Sequence, residues 1–274
     1  MQGYVILDKR AADAVPAARG ARQAAMRGIL PTGAILGALA LWVALTRLHV
    51  FPEYAFPSLP SVVSALGEEF RAGRLTSDIT ASLFRVAVGF VLAAILGVPL
   101  GLWLGQRLTP RLSLQPLVNF FRCLSPLAWI PFAILWFGIG DKPAIFLIFM
   151  ASFFPLTLAT MAAVANVPAV YYRVARDYGF HGPELLTRVV FPAVLPQVIT
   201  ALRVTAGIAW VVVVAAEMVG CQDGLGYGIY DARNGQRLDI VAAYMLVIGL
   251  LGVGIDRLLA QLTRLPNVRW GYDR

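Results

Sequence analysis

The sequence predicts an all-α protein, a polytopic membrane helical bundle with six transmembrane helices. Of its 274 residues, 59% are hydrophobic and only 14% are charged, and the mean hydropathy is +0.73. The apolar residues also fall into stretches close to the ~20 residues that a helix needs to cross a bilayer. Soluble domains carry far more charge, so this composition excludes an ordinary water-soluble enzyme.

Proline, glycine and charged residues separate the predicted spans. The spans cover residues 30–50, 82–106, 116–138, 143–167, 195–219 and 240–262. The first is too long for a signal-peptide core and no small-residue cleavage pattern follows it, so we expect it to remain as a helix. The third is interrupted by Pro116, Pro126 and Pro131. A position of its first part along the membrane interface is therefore an alternative to a straight span.

The segments between and around the spans differ in composition. The predicted division is a cytosolic N-terminal tail at 1–29, the first span at 30–50, a periplasmic segment at 51–81, a core of five spans at 82–265 and a cytosolic tail at 266–274. Within the periplasmic segment, the spacing of Val62, Val63, Leu66 and Phe70 predicts a short amphipathic surface helix.

The distribution of basic residues sets the expected orientation, because short cytoplasmic loops retain positive charge. With the N-terminus inside, 15 of the 23 Lys and Arg residues fall on the cytosolic side, six fall outside and two lie within spans. We therefore expect a multi-pass membrane protein with both termini in the cytosol. Although the pI is near 9.9, no basic patch with interleaved aromatic residues indicates nucleic-acid binding.

The second span carries a stripe of small residues, Gly89, Ala93, Gly97, Gly101 and Gly105, at four-residue spacing along one helix face. Small side chains let helix backbones approach closely inside a membrane. The favoured interpretation is therefore packing of this face against another helix. Lining of a path across the membrane is the alternative.

The predicted cytosolic loop at residues 169–192 is too long and too patterned for a simple connector. Val170, Val174 and Tyr178 repeat at four-residue spacing up to Gly179. This pattern predicts a short helix that ends at a left-handed glycine.

A second short helix is expected to begin at Pro183, which suits a first helical turn, and to stop near Pro192. Gly179 and Gly182 would set the two helices at a fixed angle. A rigid projection of this kind implies a docking partner. An interfacial helix pair resting on lipid headgroups is the alternative.

These residues resemble the permease subunits of binding-protein-dependent ABC importers, in the branch for nitrate, aliphatic sulfonates, taurine and bicarbonate. The family's cytosolic signature is Glu-Ala-Ala, three residues, Gly, nine residues and Ile-x-Leu-Pro. Here the matching positions are Arg173-Val174-Ala175, Gly179 and Val189-Val190-Phe191-Pro192. Arg173 thus replaces the family glutamate. The likeness covers about residues 78–265, including segments 82–86, 127–131, 134–138, 214–218 and 224–227.

The resemblance implies a type I ABC importer permease fold in a homodimer, each copy docking one subunit of a cytosolic ABC ATPase dimer. It also implies location in a bacterial inner membrane, where a periplasmic solute-binding protein would deliver the solute from outside. The docking residues implied are Tyr172, Arg173, Val174, Ala175, Arg176, Gly179, Phe180, His181 and Gly182. Because Arg173 reverses the family's charge, the cognate ATPase is expected to have an altered, acidic complement.

The chain is not expected to be an enzyme or to hold a cofactor or metal. It has no G-x-x-x-x-G-K-[ST] phosphate loop, so ATP and Mg²⁺ are assigned to the partner ATPase. His49 and His181 are isolated, and the acidic residues are dispersed. Cys123 and Cys221 are expected near opposite membrane faces and hence without a mutual disulfide. The glycine-rich segment at 220–239 is expected to be a flexible outer turn or a contact for the binding protein.

Three charged residues, Arg85, Arg203 and Glu217, lie within predicted spans, where an unpaired charge is costly. They are therefore candidates for a translocation path. Arg85 and Arg203 could supply positive potential for an anion, or Arg203 could form part of an inner gate. Alternatively, Arg85 pairs with Glu217, while Arg203 extends to the cytosolic interface. The function implied is import of a small anion; the alternative is an ion-driven secondary carrier or channel for such an anion.

Overall fold

A computed structural model describes residues 30, 32–48, 52 and 55–264 of the chain. The two predicted cytosolic tails, at 1–29 and 266–274, and His49 lie outside the described residues. Across the described ranges the regular structure is helical and contains no strand, which confirms the all-α prediction. The chain divides into two units, Met1–Val62 and Val63–Arg274.

In the first unit, the described part of helix α1 covers Thr32–Arg47, a shorter apolar helix than the spanning segments below. It occupies most of the predicted first span. The indole Nε1 of Trp42 donates a hydrogen bond to the carbonyl of Pro57 at 3.1 Å, and the Trp42 and Phe56 rings lie 5.7 Å apart. These contacts attach the chain that follows α1 to the side of that helix.

The remaining helices follow in close succession. They are α2 (Leu59–Arg71), α3 (Arg74–Gln106), α4 (Leu108–Cys123), α5 (Ile130–Phe137), α6 (Asp141–Ala165), α7 (Ala169–Asp177), α8 (Gly182–Leu185), α9 (Phe191–Gly220), α10 (Leu225–Asn234) and α11 (Leu238–Ala260). Short 3₁₀ turns at Pro126–Trp129 and Gln261–Arg264 precede α5 and follow α11. Helix α2 occurs where the surface helix is predicted.

Four described helical segments are long and apolar enough to span a membrane, or five if one bent pair counts as a span. The four are Arg74–Gln106, Asp141–Ala165, Gly182–Gly220 and Leu238–Thr263. The predicted count of six is therefore not confirmed. Helix α3 also begins at Arg74 rather than at residue 82, because apolar content marks the membrane part of a helix and not its polar extension. In this extension the Thr76 and Thr80 hydroxyls donate to the Gly73 and Thr76 carbonyls.

The predicted third span is broken rather than straight. Helix α4 and the segment Pro126–Phe137 meet at an angle of 84°. Leu124 and Ser125 have extended backbones, with ψ of 127° and 126°. Because a residue before proline is disfavoured in the helical region, Pro126 ends the helix at this point.

The predicted stop near Pro192 is wrong, since the helix continues from Gly182 to Gly220. A π-helical turn at Leu186–Val190 precedes the proline, and the Phe191 N–H donates to the Leu186 carbonyl. A proline in a regular helix clashes with the carbonyl four residues earlier. The wider π turn places Pro192 in the first turn of a new α-helical segment and lets the helix pass through it.

The glycine stripe of α3 packs against α6. A Cβ atom at Gly89 would lie 2.8 Å from the Ile148 Cβ, and one at Gly101 would lie 2.6 Å from the Thr157 carbonyl oxygen. Only glycine allows this approach of the two backbones. The packing interpretation is therefore confirmed, and these glycines do not line an open path.

Candidate functional site

Helix α7 ends where the sequence predicts. Gly179 has φ of +82°, a conformation that a residue with a Cβ rarely adopts. The Gly179 N–H donates to the Arg176 carbonyl, and the Phe180 N–H donates to the Ala175 carbonyl, each at 2.9 Å. This pair of bonds is the Schellman arrangement that terminates helices, so the predicted left-handed helix end is confirmed.

One side of α7 is attached to the helical core. Ala175 is buried, and Tyr172 packs against an apolar cluster that includes Val164, Val190 and Val194. Burial raises the pKa of Tyr172 above its ordinary value. Phe180 follows the helix end as a half-buried side chain. These contacts hold α7 against the ends of α6 and α9.

The opposite side of α7 is exposed and largely apolar. The exposed fractions are 58% for Val170, 50% for Tyr171, 48% for Val174 and 79% for Tyr178. We call these four side chains the exposed α7 face. Loss of water from such a surface favours binding of a complementary partner.

A second positive-φ glycine fixes the turn after α7. Gly182 has φ of +54°, and the Nδ1 atom of exposed His181 lies 2.7 Å from the Gly179 carbonyl oxygen. Beyond the turn, Arg188 pairs with Glu184 at 3.2 Å. The guanidinium of Arg188 also lies 5.8 Å from the Phe180 ring centre, a cation–π distance. The nine implied docking residues thus form one continuous helix and turn.

The second candidate region is centred on Arg85, which is only 1% exposed. Its Nε donates to the Asp141 carboxylate at 2.7 Å and its Nη1 to the Glu217 carboxylate at 2.9 Å. Its Nη2 contacts the Asp223 carboxylate, and Nη1 also reaches the Asp223 carbonyl at 2.9 Å. The sequence left open whether Arg85 faces an anion path or pairs with Glu217. The structure shows the pair with Glu217.

The predicted flexible outer turn at 220–239 is wrong, because it contains α10, whose start is firmly held. The amides of residues 224–226 donate in order to Asp78, Ser82 and Glu217, each at 2.9 Å. Tyr244 of α11 donates to the second Asp78 oxygen at 2.7 Å. The first amides of a helix have no partner within the helix. Here side chains of α3 and α9 supply the acceptors.

We call this set the Arg85 cluster; it consists of Asp78, Ser82, Arg85, Asp141, Glu217 and Asp223. Arg85 and Glu217 are enclosed in it, which leaves neither facing an open path in the described chain. The sequence could have indicated part of the cluster, because the spacing of Asp78, Ser82 and Arg85 places all three on one face of α3. Asp141 and Asp223 have no such signal, because Asp141 comes from the start of α6 and Asp223 from the segment between α9 and α10.

Arg203, the third charged candidate, pairs with Asp256 of α11. Its Nη2 lies 2.9 and 3.0 Å from the two carboxylate oxygens, and its Nε lies 3.2 Å from the nearer one. The sequence did not identify Asp256 as the partner, because the two residues lie far apart in the chain. This bidentate pair joins α9 to α11. The three alternatives given for Arg203, which are a positive potential for an anion, a part of an inner gate and extension to the cytosolic interface, stay predictions.

The cysteines lie in different surroundings. Cys123 is exposed and Cys221 is buried, and neither forms a disulfide in the described chain. The Cys221 thiol lies 3.4 Å from the Gly140 carbonyl oxygen, and burial raises its pKa to about 11. Among the described residues, no group of three or more His, Cys, Asp or Glu side chains is placed to hold a metal ion.

Comparison with known proteins gives consistent matches over most of the chain. A family model described as "Binding-protein-dependent transport system inner membrane component" matches residues 97–265. An ABC transporter permease protein of Methanocaldococcus jannaschii is 37% identical, over 80% of this chain and 84% of its own.

Two further relatives have names that state a solute. The bicarbonate transport system permease protein of Synechococcus elongatus is 33% identical, over 86% of this chain and 88% of its own. The taurine transport system permease protein of Escherichia coli is 31% identical, over 85% of this chain and 88% of its own.

A solved structure shares the fold. The MetNI methionine ABC transporter in an inward-facing conformation contains a chain that aligns with a TM-score of 0.62 at 20% identity. The alignment covers 69% of this chain and 94% of that one.

Proposed function

Because the chain belongs to the family of binding-protein-dependent transport system inner membrane components, we propose that it is the permease subunit through which an ATP-driven importer moves a small anion. In this proposal two copies form the channel, and a periplasmic binding protein delivers the solute. A separate ATPase dimer binds from the cytosol, where both chain termini also lie. The chain itself is a transport component, not an enzyme.

The observation that carries the proposal is the fixed and exposed geometry of α7. Tyr172 and Ala175 attach it to the core, Gly179 and Gly182 set its angle, and the exposed α7 face is left free to bind. A motor that pushes on α7 would move α6 and α9 with it, because α7 packs against both. The implied docking residues are therefore suited to transmit work done by ATP elsewhere.

The relatives support a solute with an anionic oxygen group, since their names specify bicarbonate, an anion, and taurine, a zwitterion that carries a sulfonate. We extend this to bicarbonate, sulfonates and nitrate as solute classes for this chain. Arg85 offers no free positive charge, because three carboxylates surround it. We therefore assign solute selection mainly to the binding protein.

A groove between α6 and α9 is a better candidate for solute contact than the Arg85 cluster. It encloses about 370 Å³, and its polar lining is provided by Asn166, Gln197, Thr200 and Thr205. The amide groups of Asn166 and Gln197 can donate hydrogen bonds to a passing oxyanion without holding it as tightly as a charge would. The Thr200 and Thr205 hydroxyls add polar surface, but each already donates to a backbone carbonyl of its own helix. A weak site of this kind suits passage rather than storage.

Uptake into proteoliposomes tests the proposal. Vesicles would contain the permease with its co-purified ATPase, and the binding protein would be added outside with labelled bicarbonate, taurine or nitrate. We expect accumulation of one of these solutes only when ATP is enclosed. Movement of solute down its gradient through the permease alone, without ATPase, would instead support a secondary carrier or channel.

A further inference from the structure

A strip of exposed residues runs along the middle of α9. Residues three or four apart share one face of an α-helix, and here that face is exposed at Gln197, Thr200, Val204, Gly207 and Val211. Val204 and Val211 are 61% and 70% exposed. A Cβ atom at Gly207 would meet no atom of the described structure within 4 Å. We call these five residues the α9 strip.

Polar groups border the α9 strip on both sides. At 100° per residue, Ala201 falls about 100° from Thr200 in one direction and Arg203 about 60° in the other. Ala201 lines the groove against α6, which also contains Asn166. Arg203 instead turns to α11, where its Nη2 holds the two Asp256 carboxylate oxygens at 2.9 and 3.0 Å. The strip therefore lies between a neutral polar groove and an ion pair.

This ion pair is accessible and lies near the inner end of both spans. The Arg203 side chain is 34% exposed and the Asp256 side chain is 58% exposed. At 1.5 Å per residue, Arg203 is about 25 Å from Gly220 and Asp256 about 27 Å from Leu238, the ends of α9 and α11 that face outside in the proposed orientation. The hydrocarbon core is ~30 Å thick. Lipid chains do not solvate charges at that depth, so water or polar groups must reach this side of the chain.

Arg203 differs from Arg85 in how its guanidinium is occupied. Arg85 is only 1% exposed and three carboxylates surround it, so a solute cannot reach it. Arg203 has one carboxylate partner among the described residues, which it contacts through both Nε and Nη2. This fork suits any group with two oxygens on one atom, such as a carboxylate, bicarbonate, nitrate or a sulfonate. Asp256 thus occupies the position that an oxyanion would take.

Exchange of Asp256 for another oxyanion is close to balanced in free energy. The charge-assisted bonds that Arg203 loses to Asp256 are regained from the solute, and the exposed Asp256 carboxylate is hydrated when it leaves. Exposed ion pairs contribute little net stability, so Asp256 is a weak competitor. Its presence still prevents a lone arginine from holding the solute tightly, which suits a site of passage.

We propose that Arg203 is an oxyanion-binding residue of the transport path, at which the solute temporarily replaces Asp256. This inference rests on the proposed function, because it assumes that the chain moves an anion. It adds the residue that binds the solute, the carboxylate that competes with it and the class of ligand, an oxyanion with two oxygens on one atom. A halide is a single atom and cannot engage both N–H groups along parallel bonds.

The test measures anion binding to the purified full chain in phosphatidylcholine nanodiscs, without ATPase or binding protein. The probes are isotope-labelled nitrate, bicarbonate and taurine, whose NMR lines broaden on weak binding, and unlabelled chloride is the competitor. The variants are Asp256→Asn, Arg203→Gln and Arg203→Lys. Glu184→Gln is the matched control, since it releases Arg188 from another exposed ion pair, formed at 3.2 Å and away from the α9 strip.

We expect Asp256→Asn to bind at least one probe about three- to tenfold more tightly, because removal of the competitor from an exposed pair raises the fraction of binding-competent Arg203 by that order. Arg203→Gln should abolish the binding. Arg203→Lys keeps the ion pair with Asp256 but lacks the fork, so it should fold normally and bind the probe more weakly. Excess chloride should not displace the probe.

Three results would overturn the proposal. If Asp256→Asn and Arg203→Gln both bind the probes as the wild type does, the pair only joins α9 to α11. If Glu184→Gln gains as much affinity as Asp256→Asn, any released arginine attracts anions and the site is not specific. Displacement of the probe by chloride would contradict an oxyanion site.

Uptake into proteoliposomes separates this inference from the proposed function. Wild-type vesicles that take up none of the solutes with ATP would contradict the proposed function itself. Vesicles in which the wild type transports, and in which Arg203→Gln transports at the same rate, would contradict the role of Arg203 alone.

Discussion

Replacing Arg85 by methionine is expected to cost about 3 to 5 kcal/mol of stability, because it leaves Glu217 charged and buried without its partner. Glu217 is 0% exposed and lies 2.9 Å from Arg85. Asp141 and Asp223 lose the same partner. The variant should insert poorly or unfold at a markedly lower temperature in detergent, as followed by thermal denaturation of the purified protein.

Arg237→Met is the matched control. Arg237 also contacts two carboxylates, those of Glu68 and Asp239, at 3.0 and 2.8 Å, but its side chain is 47% exposed. Surface ion pairs contribute roughly 0 to 1 kcal/mol, so this change should have little effect. Adding Glu217→Gln to Arg85→Met should recover part of the loss. If Arg85→Met and Arg237→Met proved equally stable, the Arg85 cluster would contribute no more to stability than a surface ion pair.

Adding one methyl group at Gly101 is the second change expected to have a large effect. In Gly101→Ala the new Cβ would lie 2.6 Å from both the Thr157 carbonyl oxygen and the Thr160 Cβ. Backbone atoms cannot rotate away, so α3 and α6 would have to separate. Overpacking of this kind costs about 1 to 3 kcal/mol, which thermal denaturation of the purified variant would measure.

Gly249→Ala on α11 supplies a control with the opposite expected sign. A Cβ at Gly249 has no atom within 4 Å in the described structure. Because alanine is favoured over glycine in a helix by about 1 kcal/mol, this variant should be unchanged or slightly more stable. Equal stability of the two alanine variants would contradict close packing along the glycine stripe.

Features that depend on local spacing were predictable from the sequence. The small residues of the stripe, which include Gly89 and Gly101, recur every four residues and therefore lie on one face of α3. The sequence of α3 alone is enough to predict that this face packs against another helix. Gly179 was predictable for the same reason, since an apolar repeat ends at it. The all-α class follows from apolar composition and length.

Features that depend on distant residues were not predictable in this way. Asp141 and Asp223 meet Arg85 only after separate helices have packed, so no spacing in the sequence identifies them. The π turn before Pro192 was likewise not predictable, because no local pattern indicates that the helix widens there to accept the proline. A sequence rule expects that proline to stop the helix, whereas the wider turn lets it continue.

The break at Pro126 was predictable in part. Three prolines indicated that the third span was irregular, and the extended Leu124 and Ser125 show where the irregularity falls. Sequence alone could not choose between a bent span and a segment along the interface. At the bend, Trp129 packs against Phe146 and an apolar cluster of α6, contacts between residues far enough apart in the chain that no local spacing indicates them.

The central claim is that this chain receives work from a separate ATPase through α7. Val174→Asp tests it most directly, because it places a charge in the exposed α7 face, at a side chain that is 48% exposed. The readout is ATP-driven solute uptake, together with the amount of ATPase held by the permease in the same vesicles. Val63→Asp on α2, which alters a side chain of 61% exposure away from α7, is the control.

We expect Val174→Asp to lose bound ATPase and ATP-driven uptake together, by about tenfold or more as for a central interface residue, while Val63→Asp retains the ATPase. Uptake and ATPase binding that both persist in Val174→Asp at the wild-type level would contradict the claim.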